Sequence, residues 1–574
     1  MNLNFKKLLG LSLLAATGLA QADCTSSAGT SCGDTPLPIS LEDLSCTPAT
    51  VNDLAYGQTF FSIRPQYSNT ARDQMGSSTR VHKFAAQEFN GDVSLALDYA
   101  QSTNGNDLGT WFFFNGTNSM NYGPNWNANT TPTGLDVNSL NFAVTASGTI
   151  TATPRIQNLV ADFQLYLGWD EFVQGLWTRI CIPVNYVRTD MRLVDTVTTP
   201  SSANPLSNPG YFNQGDVDNL ASGTTVPPYS NLQQGWVGNK SVGNFAGRAF
   251  GDIDGRRSHT SVAGLVFDIG YDFLRREKGH FGLSLRAVAP TGNEPNAQYV
   301  FEPISGANGC WEIGGGLTAA YQLYSTSENG YFNFYLDGQV THLGSRAQKR
   351  LFGLQNIKAV AVAGGADDST APSAGASWLL LEQFNTSTGF YTGVLTSAAD
   401  ILALVVKVGN AVQGDLSASF EFRKNNYGVR AGYNFWARTK DQASARQASA
   451  FSDTSVSYAV KQASGNAGSS ILAVGTNNEC AVKGSSNIAQ AGANSTTSTT
   501  TNYFTEDDIS ACPALHPTAY SNKVFGCVDY TWSDNEWNPY LLIGGSYEIG
   551  GSFQSIKNSA LTQWSVLAKG GIAF

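Results

Sequence analysis

The chain has 574 residues, of which 14% are charged and 42% hydrophobic, with 59 glycines and a formal net charge of −10. An acidic balance argues against nucleic-acid binding. With so few charges and no long uninterrupted apolar run after the N-terminus, an ordinary helical membrane protein is also a poor fit.

Residues 1–22 read as a secretory signal peptide: Lys6 and Lys7 precede an apolar run from Leu8 to Ala20, and Ala20-Gln21-Ala22 supplies an A-x-A cleavage site. Removing Lys6 and Lys7 leaves 32 basic and 44 acidic residues, a mature charge of −12. Residues 23–56 are polar and hold three of the eight cysteines, and are expected to form a periplasmic or plug-like segment. Export makes disulfides plausible and the even cysteine count permits full pairing, but spacing does not give the connectivity. There is no C-x-x-C pair, no metal-ligand spacing, no phosphate loop and no Gly-x-Ser-x-Gly elbow in the mature chain. No cofactor is expected.

From residue 57 onward the pattern is alternation. Gly57–Tyr67 is a first strand candidate, and Val81–Phe89 and Asp92–Gln101 flank Asn90-Gly91 as a hairpin. Leu108–Asn115 is a further candidate despite its unbroken Trp111-Phe112-Phe113-Phe114, followed by Leu140–Ala152, Asn158–Trp169 and Leu176–Val187. The middle of the chain is clearest. Leu265, Phe267, Ile269 and Tyr271 share one face, opposite Asp268 and Asp272; Leu283 and Leu285 oppose His280 and Arg286; Ile313, Leu317 and Tyr321 oppose Glu312; Phe332, Phe334 and Leu336 oppose Asp337. After residue 413, Phe420 and Phe422 oppose Glu421 and Arg423, and Tyr427, Val429 and Tyr433 oppose Arg430.

The last strand runs to the terminus, with Trp564, Val566, Ala568, Gly570, Ile572 and Phe574 on one face. This ending resembles the closing strand of Gram-negative outer-membrane β-barrels, in which a terminal Phe is read by the barrel-assembly machinery. The resemblance implies an all-β transmembrane antiparallel up-and-down barrel over 57–574, placed in the bacterial outer membrane and contacting its lipid. A strand count of about 14–16 follows from the pattern. Counted back from the terminus, the short turns at 274–279, 326–330, 425–426 and 533–536 fall at the periplasmic end, and the long segments 188–260, 344–413 and 440–522 fall outside.

The overall plan is similar to general porins and chlamydia-type major outer-membrane proteins. Such a protein passes small hydrophilic solutes or ions through a water-filled lumen and can form homo-oligomers. Asp268, Asp272, Arg286, Glu312, Asp337, Glu421, Arg423 and Arg430 are then the pore-lining candidates, because a charge facing lipid is costly. Segment 344–413 is the candidate for an inward-folding constriction, its Ile401–Val408 run packing on the inner wall. That run also suits a short helix after Ser397 or another strand pair. An excess of acids predicts mild cation preference. The alternative is a surface-structural or adhesive protein in which the barrel only anchors the loops. An enzyme, with His280 beside Asp268 and Asp272 as its acid–base group, is disfavoured by their position near the periplasmic turn.

Overall fold

In the computed structural model the described residues are 39–40, 57–76, 89–113, 116–123, 134–136, 147–199, 247–253, 255–325, 330–354, 378–387, 391–409, 411–460, 503–532, 537–550 and 558–574. The signal-peptide segment, nearly all of 23–56 and the Val81–Phe89 arm up to residue 88 lie outside them.

Twelve antiparallel strands close into a barrel. They are β1 (Asn90–Ser102), β2 (Arg155–Gly168), β3 (Leu176–Asp190), β4 (Leu265–Arg276), β5 (Gly279–Ala289), β6 (Glu312–Ser325), β7 (Gly330–Leu343), β8 (Val412–Lys424), β9 (Tyr427–Arg438), β10 (Ala519–Thr531), β11 (Asn538–Ile549) and β12 (Gln563–Ala573). Each pairs with its sequence neighbour in the ring, and β12 closes on β1 with Asp92 opposite Ala573 and Ser102 opposite Gln563. The terminal residue seals the seam: Gly91 N donates to Phe574 O at 2.9 Å and Phe574 N donates back to Gly91 O at 3.0 Å. A Cβ on Gly91 would fall 2.4 Å from the Phe574 ring, so a larger residue there would push that ring aside.

Alternation along each strand separates two environments. Leu97, Leu159, Phe267, Leu285, Phe420, Val528 and Ile543 are among some forty large apolar side chains that stay exposed to the outside. Such a continuous apolar surface is far larger than a monomer keeps in water, and it girdles a closed sheet with no free edge. Strands of 11–15 residues, tilted as in such barrels, span roughly 30 Å, the hydrocarbon thickness. The chain is therefore an outer-membrane-type β-barrel with a lipid-facing belt. Phe334, on the outward face, packs on Phe420 with ring centroids 5.2 Å apart. Short connections, such as 277–278 and 425–426, lie at one end and all long ones at the other.

Twelve is fewer than the 14–16 strands expected, and three assignments account for it. Residues 57–67 form no strand; they enter the lumen. Residues 105–112 form a helix, α2 (Gly105–Phe112), because Leu108, Trp111 and Phe112 fall at helical spacing and are all buried. Of Leu140–Ala152, the described part is a short strand, Ser147–Thr151, in a small separate sheet. Asn90-Gly91 is likewise no hairpin turn but the start of β1, paired on both edges. Cys181, Cys310 and Cys527 are free and buried, so the eight cysteines do not pair fully.

The long connections build a cap over one mouth. Its apolar cluster joins Trp111 and Phe112 of α2 to Phe301, Leu351, Phe352, Leu381, Leu402, Leu404 and Phe504. Ile401 and Leu402 sit in or beside a short helix, α3 (Ala398–Leu402), capped by Ser397, and the chain continues as strand Ala403–Gly409, paired with Arg346–Leu351. This apolar run packs in the cap and not on the luminal wall as expected.

Candidate functional site: the lumen and its occupant

Residues 57–76 thread the barrel interior. They contain one short helix, α1 (Thr70–Gln74), whose N-cap Asn69 accepts from Arg72 N at 3.3 Å. One apolar foot, Ala71 and Met75, rests on Ala96, Phe525, Leu542 and Leu567 of the wall. Phe61 and Ile63 at its start join the cap's apolar cluster, and Tyr67 packs with Cys181, Val266 and Val288; the remaining ties are polar.

Arg64 pairs with Asp415 on β8 at 2.7 Å and Glu548 on β11 at 3.1 Å, and donates to Asn434 on β9 at 3.0 Å. Arg72, 1% exposed, reaches Asp162 on β2 at 3.2 Å and Asp98 on β1 at 3.6 Å. Each buried guanidinium thus has two carboxylate partners on the wall. Thr70 N and Oγ1 each donate to Asp415 at 2.9 Å, Gln74 Nε2 donates to Asp337 at 2.8 Å, and Tyr67 donates to Glu312. The segment is thus tied to strands around the whole ring.

Beneath α1, toward the short-turn end, a small polar cavity remains. It is lined by Asp73, Asp92, Asp268, Asp272 and Asp337, by Arg179 and Arg286, and by His280, Tyr166 and Trp177. Asp268 lies 2.8 Å from Arg179 and 3.3 Å from Arg286; Asp272 lies 3.3 Å from His280.

The eight candidate residues all face inward, but they form three groups. Asp268, Asp272, Arg286 and Asp337 line the cavity. Glu312 stands nearer the cap, accepting from Tyr67, from Thr341 at 2.9 Å and from Gln413 at 2.8 Å. Glu421, Arg423 and Arg430 make a separate knot in the wall: Glu421 is 3.0 Å from Arg423, 2.9 Å from Arg430, and accepts from Tyr335 at 2.9 Å, while Arg423 also pairs with Asp529.

Sequence reasoning missed Arg64, Arg72 and Asp73, the groups that seat the occupant. A signal existed. Pro65 lies inside the supposed strand, and Phe60-Phe61 breaks its alternation; both argue against a central strand. Asp98, Asp162 and Asp415 lay on legible inward faces, but nothing in the strand pattern says what an inward charge meets.

No family model matches the chain, and no curated protein sequence matches it. Among solved structures it is similar to the COG4313 outer membrane channel from Pseudomonas putida F1, with 9% identity over 86% of this chain and 98% of that one, TM-score 0.34. It is also similar to a Pseudomonas aeruginosa FadL homologue (8% identity, 90% and 99% covered, TM-score 0.27) and to the translocator domain of autotransporter NalP from Neisseria meningitidis (6%, 88% and 95%, 0.27). The reading of function rests on the geometry of the chain itself.

Proposed function

We propose that the protein is an outer-membrane channel for small hydrophilic solutes, held closed by residues 57–76. One observation carries this reading: from Arg64 to Gln74 the luminal segment is tied to the wall by two arginines with four carboxylate partners and by polar hydrogen bonds, above a polar cavity. A permanent core is apolar, and moving it exposes surface that water penalises. A polar seat can exchange its partners for water with little such penalty. The wall it would leave behind is charged, which suits hydrated solutes and not oily ones. Five carboxylates against two guanidiniums around the cavity favour cations.

This is a narrower claim than a permanently open porin, whose wide lumen needs more strands than twelve or an empty centre. We also propose transport in place of catalysis: His280 contacts Asp272, but a pair inside a closed lumen has no access for a large substrate. Assembly through the strand ending at Phe574, and homo-oligomer formation, are retained as parts of the proposal.

Planar-bilayer recording tests it. The wild type should conduct rarely and in small steps, and replacing both Arg64 and Arg72 by Ala should raise step size and open time. Silence from both proteins, each shown to be folded by heat-modifiable gel migration, would overturn the channel. It would favour the second reading, in which the barrel anchors the cap. The apolar cluster that welds the outer loops into one body is the observation on that side.

A further inference from the structure

The wall is taller on one side. Strand Arg256–Val262 pairs with the upper half of β3 and leads through residues 263–264 into β4, so β2, β3 and this strand rise past their neighbours toward the cap. Their register fixes a ladder of rows. In the top row Arg155 faces Asp190, which faces Arg256; in the next, Gln157 faces Arg188, which faces Ser258; then come Leu159, Tyr186 and Thr260, and below them Ala161, Val184 and Val262.

The side on which these rows point is set by burial. Ile156, Asn158, Val187 and Thr189 are buried inward, while Leu159, Tyr186 and Val184 are exposed to the outside at 48%, 37% and 41%. Alternation puts Arg155, Arg188 and Arg256 on that same outer face, directly above the lipid-facing side chains. Their height is marked independently. Tyr99 shares the row of Leu159 and packs against Trp564 with centroids 5.6 Å apart, the aromatic placement of a headgroup boundary.

Three guanidiniums meet one carboxylate here. Asp190 holds Arg256 at 3.2 Å, but that arginine is 60% exposed and the pair is a weak surface one. Arg155 and Arg188 have no ion-pair partner among the described residues. An excess of two positive charges is left on the face of a protein that is acidic overall. It is also local: the outward residues at the corresponding ends of β5 to β8 are Ala289, Ile313, His342 and Val412. Strands about 4.8 Å apart place Arg155 and Arg256 roughly 10 Å from each other, with Arg188 one row below and between them.

We propose that this face binds the phosphorylated headgroup of an outer-leaflet glycolipid, Arg155, Arg188 and Arg256 holding the phosphates while an acyl chain lies along Leu159, Val184 and Leu97. Guanidiniums suit phosphate through forked, charge-assisted hydrogen bonds. The apolar strip immediately beneath selects a lipid over free phosphate. The inference needs only the outer-membrane placement, with the long-loop end outward; it is independent of the channel proposal, and a protein that fails to conduct leaves it standing.

Native mass spectrometry of the full chain in detergent, titrated with diphosphoryl lipid A or with its dephosphorylated form, tests it. Wild type should bind the phosphorylated lipid at least about tenfold more tightly than the other, and inorganic phosphate should compete poorly. The triple variant Arg155→Gln, Arg188→Gln, Arg256→Gln should lose about a hundredfold in affinity while migrating as a folded barrel. Equal affinity of wild type for the two lipid forms would overturn the proposal whether or not the variant folds. So would a folded variant with unchanged affinity. Displacement by equimolar inorganic phosphate would assign the arginines to a free-anion site instead.

Discussion

The lumen and the cap fill the same cylinder by opposite physics. Inside the barrel, residues 57–76 are held by Arg64 and Arg72 against Asp415, Glu548, Asp98 and Asp162. Above it, Phe301, Phe352, Leu402 and their neighbours bury one another in one broad apolar cluster, with the buried charges Arg350, Asp441 and Arg438 paired beside it. The two regions meet at Phe61 and Ile63, which begin the luminal segment and belong to the cap's cluster. A body held by apolar burial is stable as a unit and opens only by unfolding. A body held by ion pairs can leave its seat intact, provided its charges find water. The chain thus joins a fixed cap to a releasable occupant, and the joint is where any movement must be absorbed.

That contrast can be broken from either side, with the largest effect expected in the lumen. Arg72→Ala leaves Asp98 and Asp162 facing each other in a buried site, a change that costs about 3–5 kcal/mol. It should loosen residues 57–76 without melting the barrel. Limited proteolysis near Arg64 should therefore accelerate while heat-modifiable migration of the barrel changes little. Joint loss of both would mean that the segment is structural. In the cap, Leu402→Ala should cost about 2–5 kcal/mol through transfer and cavity terms. It should expose the outer loops to protease with the luminal segment still protected. If Leu402→Ala frees residues 57–76 as readily as Arg72→Ala does, the two regions form one cooperative unit and the distinction fails.

Most of the wall was legible because lipid outside and polar groups inside enforce a strict period of two. β4 to β9 and β12 lie close to their sequence-read limits, and the sorting of short turns to one end follows from connectivity alone. Two kinds of information were not in that period. Gly57–Tyr67 contains enough apolar residues to imitate a strand; what it packs against depends on Asp415, Glu548 and Glu312, between 245 and 484 residues away. In α2, Trp111 and Phe112 are apolar for the sake of the cap, whose partners come from five separate connections. The eight candidate charges point inward, as the cost of ionised groups in hydrocarbon demands. Their division into a cavity, a tether near the cap and a wall knot was not legible, since inward direction says nothing about partner.

The finest test of the cap uses two titrating groups that work against each other. His516 is buried beside Phe61, ring centroids 5.5 Å apart, and near Arg438, Arg350 and Asp441. Burial first, then Arg438, pushes it down from 6.5 to about 4. Between those values the unfolded chain binds the extra proton, so His516 contributes stability that is complete above pH 6.5 and lost as pH falls toward 4. Glu302, whose carboxylate accepts from Asn296 N at 3.2 Å, is pushed by burial from 4.5 up to about 7. Here the folded cap keeps the proton that the unfolded chain gives up, so stability is lost as pH rises from 4.5 to 7. Each shift is worth up to about 3 kcal/mol, and between pH 4.5 and 6.5 they nearly cancel. This pair should accordingly add almost no slope of its own to the protease protection of the wild-type cap across that window. Glu302→Gln removes one slope, leaving protection that climbs with pH to 6.5 and then levels. His516→Phe, which keeps a ring against Phe61, leaves protection that falls from pH 4.5 to 7. Parallel, flat profiles in both variants would mean that water reaches these two groups, and that the cap is not the dry apolar body which sets it apart from the lumen.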